Sequence, residues 1–190
     1  MGELLVRYCA PTLAGLKTGS LFSVSASSPA ALARELRDWN RRLNAKDVAI
    51  CALRLRQGKA LIYVYRKAML AQDLQKKDVQ AVLQKAKYSG FSDHRWMLLQ
   101  LRERILHAEG FPHEIGLFLG YPAEDVRGFM EKKGKDCHLV GCWKVYGDAA
   151  CAERRFARYQ KCKQVYLRQF SDGRSVEQLT VAFRRPPKAV

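Results

Sequence analysis

Apolar and polar positions along the chain change period several times, and each change marks an element. Leu32, Leu36, Trp39 and Leu43 recur at helical spacing with arginines opposite, which predicts an amphipathic helix. Ser28-Pro29 supplies its N-cap and first-turn residue, and Asn44 its stop. Ser20 to Ser25 reads as a short strand. Val48–Arg56 and Lys59–Arg66 form two β-rich arms around Gln57-Gly58, which predicts a hairpin. The second arm is apolar on both faces from Ala60 to Val64, as expected of an inner strand covered on each side. From Ala68 to Ala108 the period is helical. Asp78 starts one helix, Gly90 interrupts, and Ser92 or Asp93 caps a longer one with an inward stripe of Met97, Leu98, Leu101 and Ile105.

Proline and glycine punctuate the rest. Pro11 predicts a short helix running to Lys17 and ended by Thr18-Gly19. Pro112 to Gly120 predicts another, and Pro122 to Gly134 a third. Leu139 to Tyr146 reads as one more strand. Asp148 caps a long helix reaching about Phe170, with Ala152, Phe156, Tyr159 and Tyr166 inward. The expected architecture is α+β: a small, mainly antiparallel sheet of about four strands, centred on the 48–66 hairpin and packed by many helices. Residues 1–190 read as a single domain, with 184–190 as a frayed basic tail.

Charge sharpens this picture. The formal net charge is +16, unevenly placed. Residues 111–147 carry 5 basic and 5 acidic side chains, whereas 148–190 carry 10 and 4. The segment richest in chemistry-bearing residues is therefore the neutral one. No apolar run is long enough to span a bilayer, and no secretory signal pattern opens the chain. A cytoplasmic location without a membrane partner is expected, with the six cysteines as thiols.

Four constellations carry candidate chemistry. Cys9, just before Pro11, stands where a helix start would stabilise a thiolate. His113 is the candidate base and Glu114 its orienter. Lys17, Tyr121, Trp143 and Lys144 are candidate ligand-binding residues, the lysines attracting an anionic small molecule. The spacing of Cys137, Cys142, Cys151 and Cys162 does not suit one metal. Cys151 and Cys162 lie eleven residues apart on one predicted helix, roughly 16 Å at the α-helical rise. Metal or haem handling through Cys and His, including Cys137, His138 and Cys142, is kept as a second alternative, and no cofactor is assigned. A helix-turn-helix reading of 114–130 founders on Glu124 and Asp125, two carboxylates where a base-reading helix presents donors. Nucleic acid, or an acidic partner bound by basic helices, is the alternative to a small ligand.

Two long passages carry a family resemblance. Tyr8 to Phe22 (YCAPTLAGLKTGSLF) and Phe111 to Asp148 (FPHEIGLFLGYPAEDVRGF followed by C-x4-CWKVYGD) resemble a bacterial family of domains of unknown function, found mostly in Gram-positive anaerobes. LIYVYR (Leu61 to Arg66) and FARYQKC (Phe156 to Cys162) fit as well. The resemblance covers nearly the whole chain. It brings no activity or cofactor, and implies only that Cys9, Pro11, Lys17, His113, Glu114, Gly120, Tyr121, Cys142, Trp143, Lys144 and Tyr146 lie in signature blocks. The combined expectation is a ligand-binding or cysteine-dependent catalytic domain. Its pocket would form where the Cys9 helix meets the His113–Tyr121 segment and the Trp143 strand.

Overall fold

The computed structural model describes residues 1–107 and 110–182. Its centre is a three-stranded antiparallel sheet in the order β1-β3-β2, with β1 at Gly19–Ser25, β2 at Val48–Arg56 and β3 at Lys59–Arg66. The hairpin has the expected bounds. Gln57 and Gly58 both take positive φ, which matches the twist of the flanking strands. β3 is the middle strand, and every residue after Lys59 is buried. Its side chains alternate between two cores. Ala60, Ile62 and Val64 face one, while Leu61, Tyr63 and Tyr65 face the other. A register shift between Ala52 and Arg54 bulges β2.

The first core is covered by α1 (Gly2–Leu13), α2 (Pro29–Leu43), α8 (Ala149–Ser171) and α9 (Val176–Leu179). α2 follows its predicted stripe, with Leu32, Leu36, Trp39 and Leu43 buried. Ser28 accepts the Ala31 amide at its N-cap. Asp148 caps α8 by accepting the Cys151 amide at 2.9 Å. α1 departs from expectation. Pro11 lies inside its last turn instead of opening a helix. The stripe Leu5, Val6, Cys9, Ala10 and Leu13 is fully buried, each large side chain contributing about 1.5–3 kcal/mol. That burial outweighs the one backbone hydrogen bond proline removes.

The second core is covered by α3 (Lys67–Leu74), α4 (Lys77–Lys85), α5 (His94–His107), α6 (Ile115–Phe118) and α7 (Ala123–Glu131). α5 buries the four residues expected of it. The predicted 139–146 strand is instead two short strands, β4 (Leu139–Val140) and β5 (Lys144–Val145), paired antiparallel. The chain reverses at Gly141, whose amide donates to the Trp143 carbonyl at 3.0 Å. Trp143 and Val145 fold onto Ala152 and Phe156 of α8 in a third, small core. The expected tail at 184–190 lies outside the described residues. Among the described residues no helix is long and apolar enough to cross a membrane.

Candidate functional site

The β4–β5 hairpin and the α6–α7 pair enclose a hollow of about 300 Å³. Its walls are Phe111, Ile115, Val126, Phe129, Tyr121 and Trp143, with His113, Cys142, Lys144 and Asp125 as polar additions. Apolar walls with a few placed polar groups are the usual make-up of a small-molecule site.

One carboxylate holds this hollow in shape. Asp125, buried in the first turn of α7, accepts the Trp143 indole N–H at 2.7 Å. Its second oxygen accepts the amides of Tyr146 at 2.7 Å and Gly147 at 2.9 Å. Three donors satisfy a charge that would otherwise be costly to bury. They also fasten the hairpin to the helix and fix the plane of Trp143. Sequence reasoning gave Asp125 no part in the site. In the structure it faces inward, whereas Glu124 of the same turn is exposed. The α6–α7 pair is a packed helical hairpin.

The aromatic wall is layered. Tyr121 stacks on Trp143 with centroids 4.7 Å apart, and Phe156 meets Trp143 edge-on at 4.5 Å. His113 packs edge-on against Phe129 at 4.8 Å. Lys144 donates from Nζ to the Gly134 carbonyl at 2.7 Å and lines the hollow. Lys17 stands 5.2 Å from the Tyr121 ring centre, a cation–π brace outside the lining. Burial lowers the Lys17 amine pKa, an effect partly opposed by the Cys142 and Cys9 thiols. Burial also raises the Tyr121 phenol to about 12, with further upward contributions from Cys142 and Tyr159. Its hydroxyl donates to the Cys142 carbonyl at 3.4 Å.

Tyr121, Trp143, Lys144 and His113 thus meet at one site, with Lys17 beside it. The remaining two candidates do not. Cys9 is fully buried in the α1 core and not at a helix start. Burial pushes its thiol far up, and Lys17 and Ser20 offset only part of that. The sheet separates Cys9, which packs with Ile62 and Val64, from the Tyr63 face on which α6 lies. Glu114 does not orient His113. It is buried against Arg104, 2.5 Å from Nε, and accepts the Tyr88 hydroxyl at 3.3 Å, tying α6 to α5. The Cys9–His113–Glu114 arrangement is therefore dispersed. The N-terminal helix lends no wall to the hollow, which the His113–Tyr121 segment and the Trp143 stretch form together with α7. Among the described residues, no three His, Cys, Asp or Glu side chains gather closely enough to hold a metal ion, the Cys137–His138–Cys142 set included.

A larger cleft of about 470 Å³ opens near Tyr121 and Pro122. Asp73, Asp78 and Glu124 balance Lys76, Arg127 and Arg155 around it. With its charges self-neutralised, it is the weaker candidate for a small ligand.

Fold and site together define an α+β domain with an aromatic-walled hollow beside its central sheet. The chain belongs to the DUF3793 family, described as a protein of unknown function, whose family model matches residues 5–180. Comparison with curated proteins and with solved structures gives no match.

Proposed function

We propose that this chain is a small-molecule-binding domain whose ligand is a planar, largely apolar compound bearing an anionic group. The observation that carries this reading is the hollow of about 300 Å³, walled by stacked aromatic rings and bordered by the Lys144 ammonium and the His113 imidazole. The rings offer a flat apolar slot, and the Asp125 bonds hold it open before a ligand arrives. Such preorganisation limits the ordering cost of binding. The Lys144 ammonium has two N–H donors beyond the one engaged by Gly134, and these would meet a carboxylate or phosphate. The cysteine-dependent version has no comparable support, because the buried Cys9 thiol is apart from His113. Binding is the role the geometry favours.

A thermal-shift screen of planar aromatic carboxylates against their neutral amides tests the reading. The acids should raise the melting temperature more than the amides. V140W, which blocks the exposed rim, should abolish the shift. K144Q should erase the preference for the acid. If neither series shifts the melting temperature, or if V140W leaves the shift intact, the reading fails.

A further inference from the structure

The outward face of α8 carries a charge pattern that the pocket does not use. Arg154, Arg155, Arg158, Lys161, Lys163 and Arg168 are all exposed, and Glu153 is the helix's one acidic residue. Four of the six cations fall on a single stripe. Arg154, Arg158, Lys161 and Arg168 stand at i, i+4, i+7 and i+14, with Val165 completing the row. At the α-helical rise this row is about 21 Å long. The opposite face, with Ala152, Phe156 and Tyr166, is spent on the core.

On α2, Arg41 pairs with Asp38 and Arg42 with Glu177, while Arg34 and Arg37 have no ion-pair partner among the described residues, and Glu35 and Asp38 lie between them and beside them. None of the α8 cations has an ion-pair partner among the described residues. Like charges at i, i+3 and i, i+4 repel and weaken an isolated helix. The capping at Asp148 and the packing against α1 sustain the helix despite that repulsion. A row of unpaired cations is a surface complementary to a row of anions.

We propose that the α8 stripe binds the phosphate backbone of a nucleic-acid duplex without reading its sequence. Three features select this partner. The row is straight, three of its four cations are arginines suited to bidentate phosphate contact, and no side chain in it is acidic. A duplex presents about one negative charge per 1.7 Å of axis, so a 21 Å row faces a dense line of phosphates. An anionic membrane fits less well, because the apolar face that would enter a bilayer is already buried. No exposed aromatic side chain lies in the row to stack unpaired bases.

The test is fluorescence anisotropy of the full chain with a 20-base-pair duplex of arbitrary sequence, from 50 to 200 mM salt. Four phosphate contacts give an expected slope of log K against log salt of about −3.6. R154Q/R158Q/K161Q/R168Q should lose at least tenfold in affinity, and R158Q alone should reduce the slope by about one. R34Q/R37Q/K77Q/K85Q removes the same charge elsewhere and should bind within about twofold of the parent. Matched thermal melts confirm that each variant folds. V140W should bind the duplex normally, which separates this surface from the pocket. The proposal is overturned if no duplex binds at 50 mM salt, if both quadruple variants lose affinity equally, or if anionic phosphatidylserine vesicles are bound in place of the duplex.

Discussion

Replacing Arg66 with methionine is the sharpest test of what holds this fold together. Arg66 ends β3, and only 1% of its surface is exposed. It makes no ion pair among the described residues; backbone carbonyls surround it instead. Nε donates to Thr12 at 2.7 Å, Nη1 to Lys46 at 3.2 Å, and Nη2 to Val181 at 2.8 Å and to Leu13. The guanidinium thus joins the C-terminus of α1, the 3₁₀ turn Asn44–Lys46 and the segment after α9. Two of these carbonyls keep other donors: Thr12 accepts from the Gly15 amide, and Leu13 from Val181. Those of Lys46 and Val181 have no other hydrogen bond among the described residues. An unpaired buried acceptor costs about 1–3 kcal/mol, but both of these bonds are part-buried and Val181 is half-exposed, so the low end applies and two give roughly 2 kcal/mol. Relief of the burial penalty on the charge offsets part of this. The expected net loss for R66M is about 1.5 kcal/mol, a measurable share of a typical 5–15 kcal/mol total. Urea unfolding followed by circular dichroism measures it, and amide exchange at Val181 should accelerate in parallel. A loss below about 1 kcal/mol, with Val181 still protected, would show that the carbonyl shell does not depend on the guanidinium.

Three further outcomes are expected. D125N leaves one oxygen for three donors and should cost about 1.5–3 kcal/mol, with Trp143 emission shifted to the red; an unchanged spectrum would deny that Asp125 fixes the indole. G19A should destabilise by about 1–3 kcal/mol, since a Cβ there would lie 2.8 Å from the Phe118 carbonyl oxygen and 2.6 Å from the Tyr63 ring; a neutral result in the same unfolding assay would refute the close approach of β1 to α6. Cys9 holds its proton far more tightly folded than unfolded, so its stabilising effect is complete below the unfolded thiol pKa of about 8.5 and is lost as pH rises above it. Between about pH 8.5 and 10, C9A should show a shallower decline in stability, by up to about 1.4 kcal/mol per pH unit; parallel curves would contradict the burial.

Local patterns made most of the frame legible. The Gln57-Gly58 turn set the hairpin bounds, and the two-sided apolarity of Ala60 to Val64 placed β3 in the middle of the sheet. The stripes of α2 and α5 were read residue for residue. The misreadings came where tertiary contacts outvoted a local signal. Pro11 suggested a helix start, yet the buried stripe of α1 carried the helix through it. Leu139 to Tyr146 has strand composition, but the Trp143–Asp125 bond and the Phe156 contact fold it into a hairpin. The roles of Asp125 and Arg66 depend on partners 18 to 115 residues away, which no local spacing encodes. In the candidate site, the aromatic and lysine members were recognised, whereas Cys9 and Glu114 were placed by chemical type alone.

The bulge in β2 has a consequence for solubility. With β3 in the middle, β1 and β2 are both rims of an open sheet, where a stray strand could add; on β2 the Asn40 side chain already takes the amide and the carbonyl of Ile50. On β2 the offset at Ala52–Arg54 breaks the regular spacing such a strand would need, and Arg54 and Arg56 add charge beside it. On β1 the outer half carries exposed Ser23 and Ser25 in place of sticky side chains. A three-stranded sheet built this way resists growing by lateral addition of another copy.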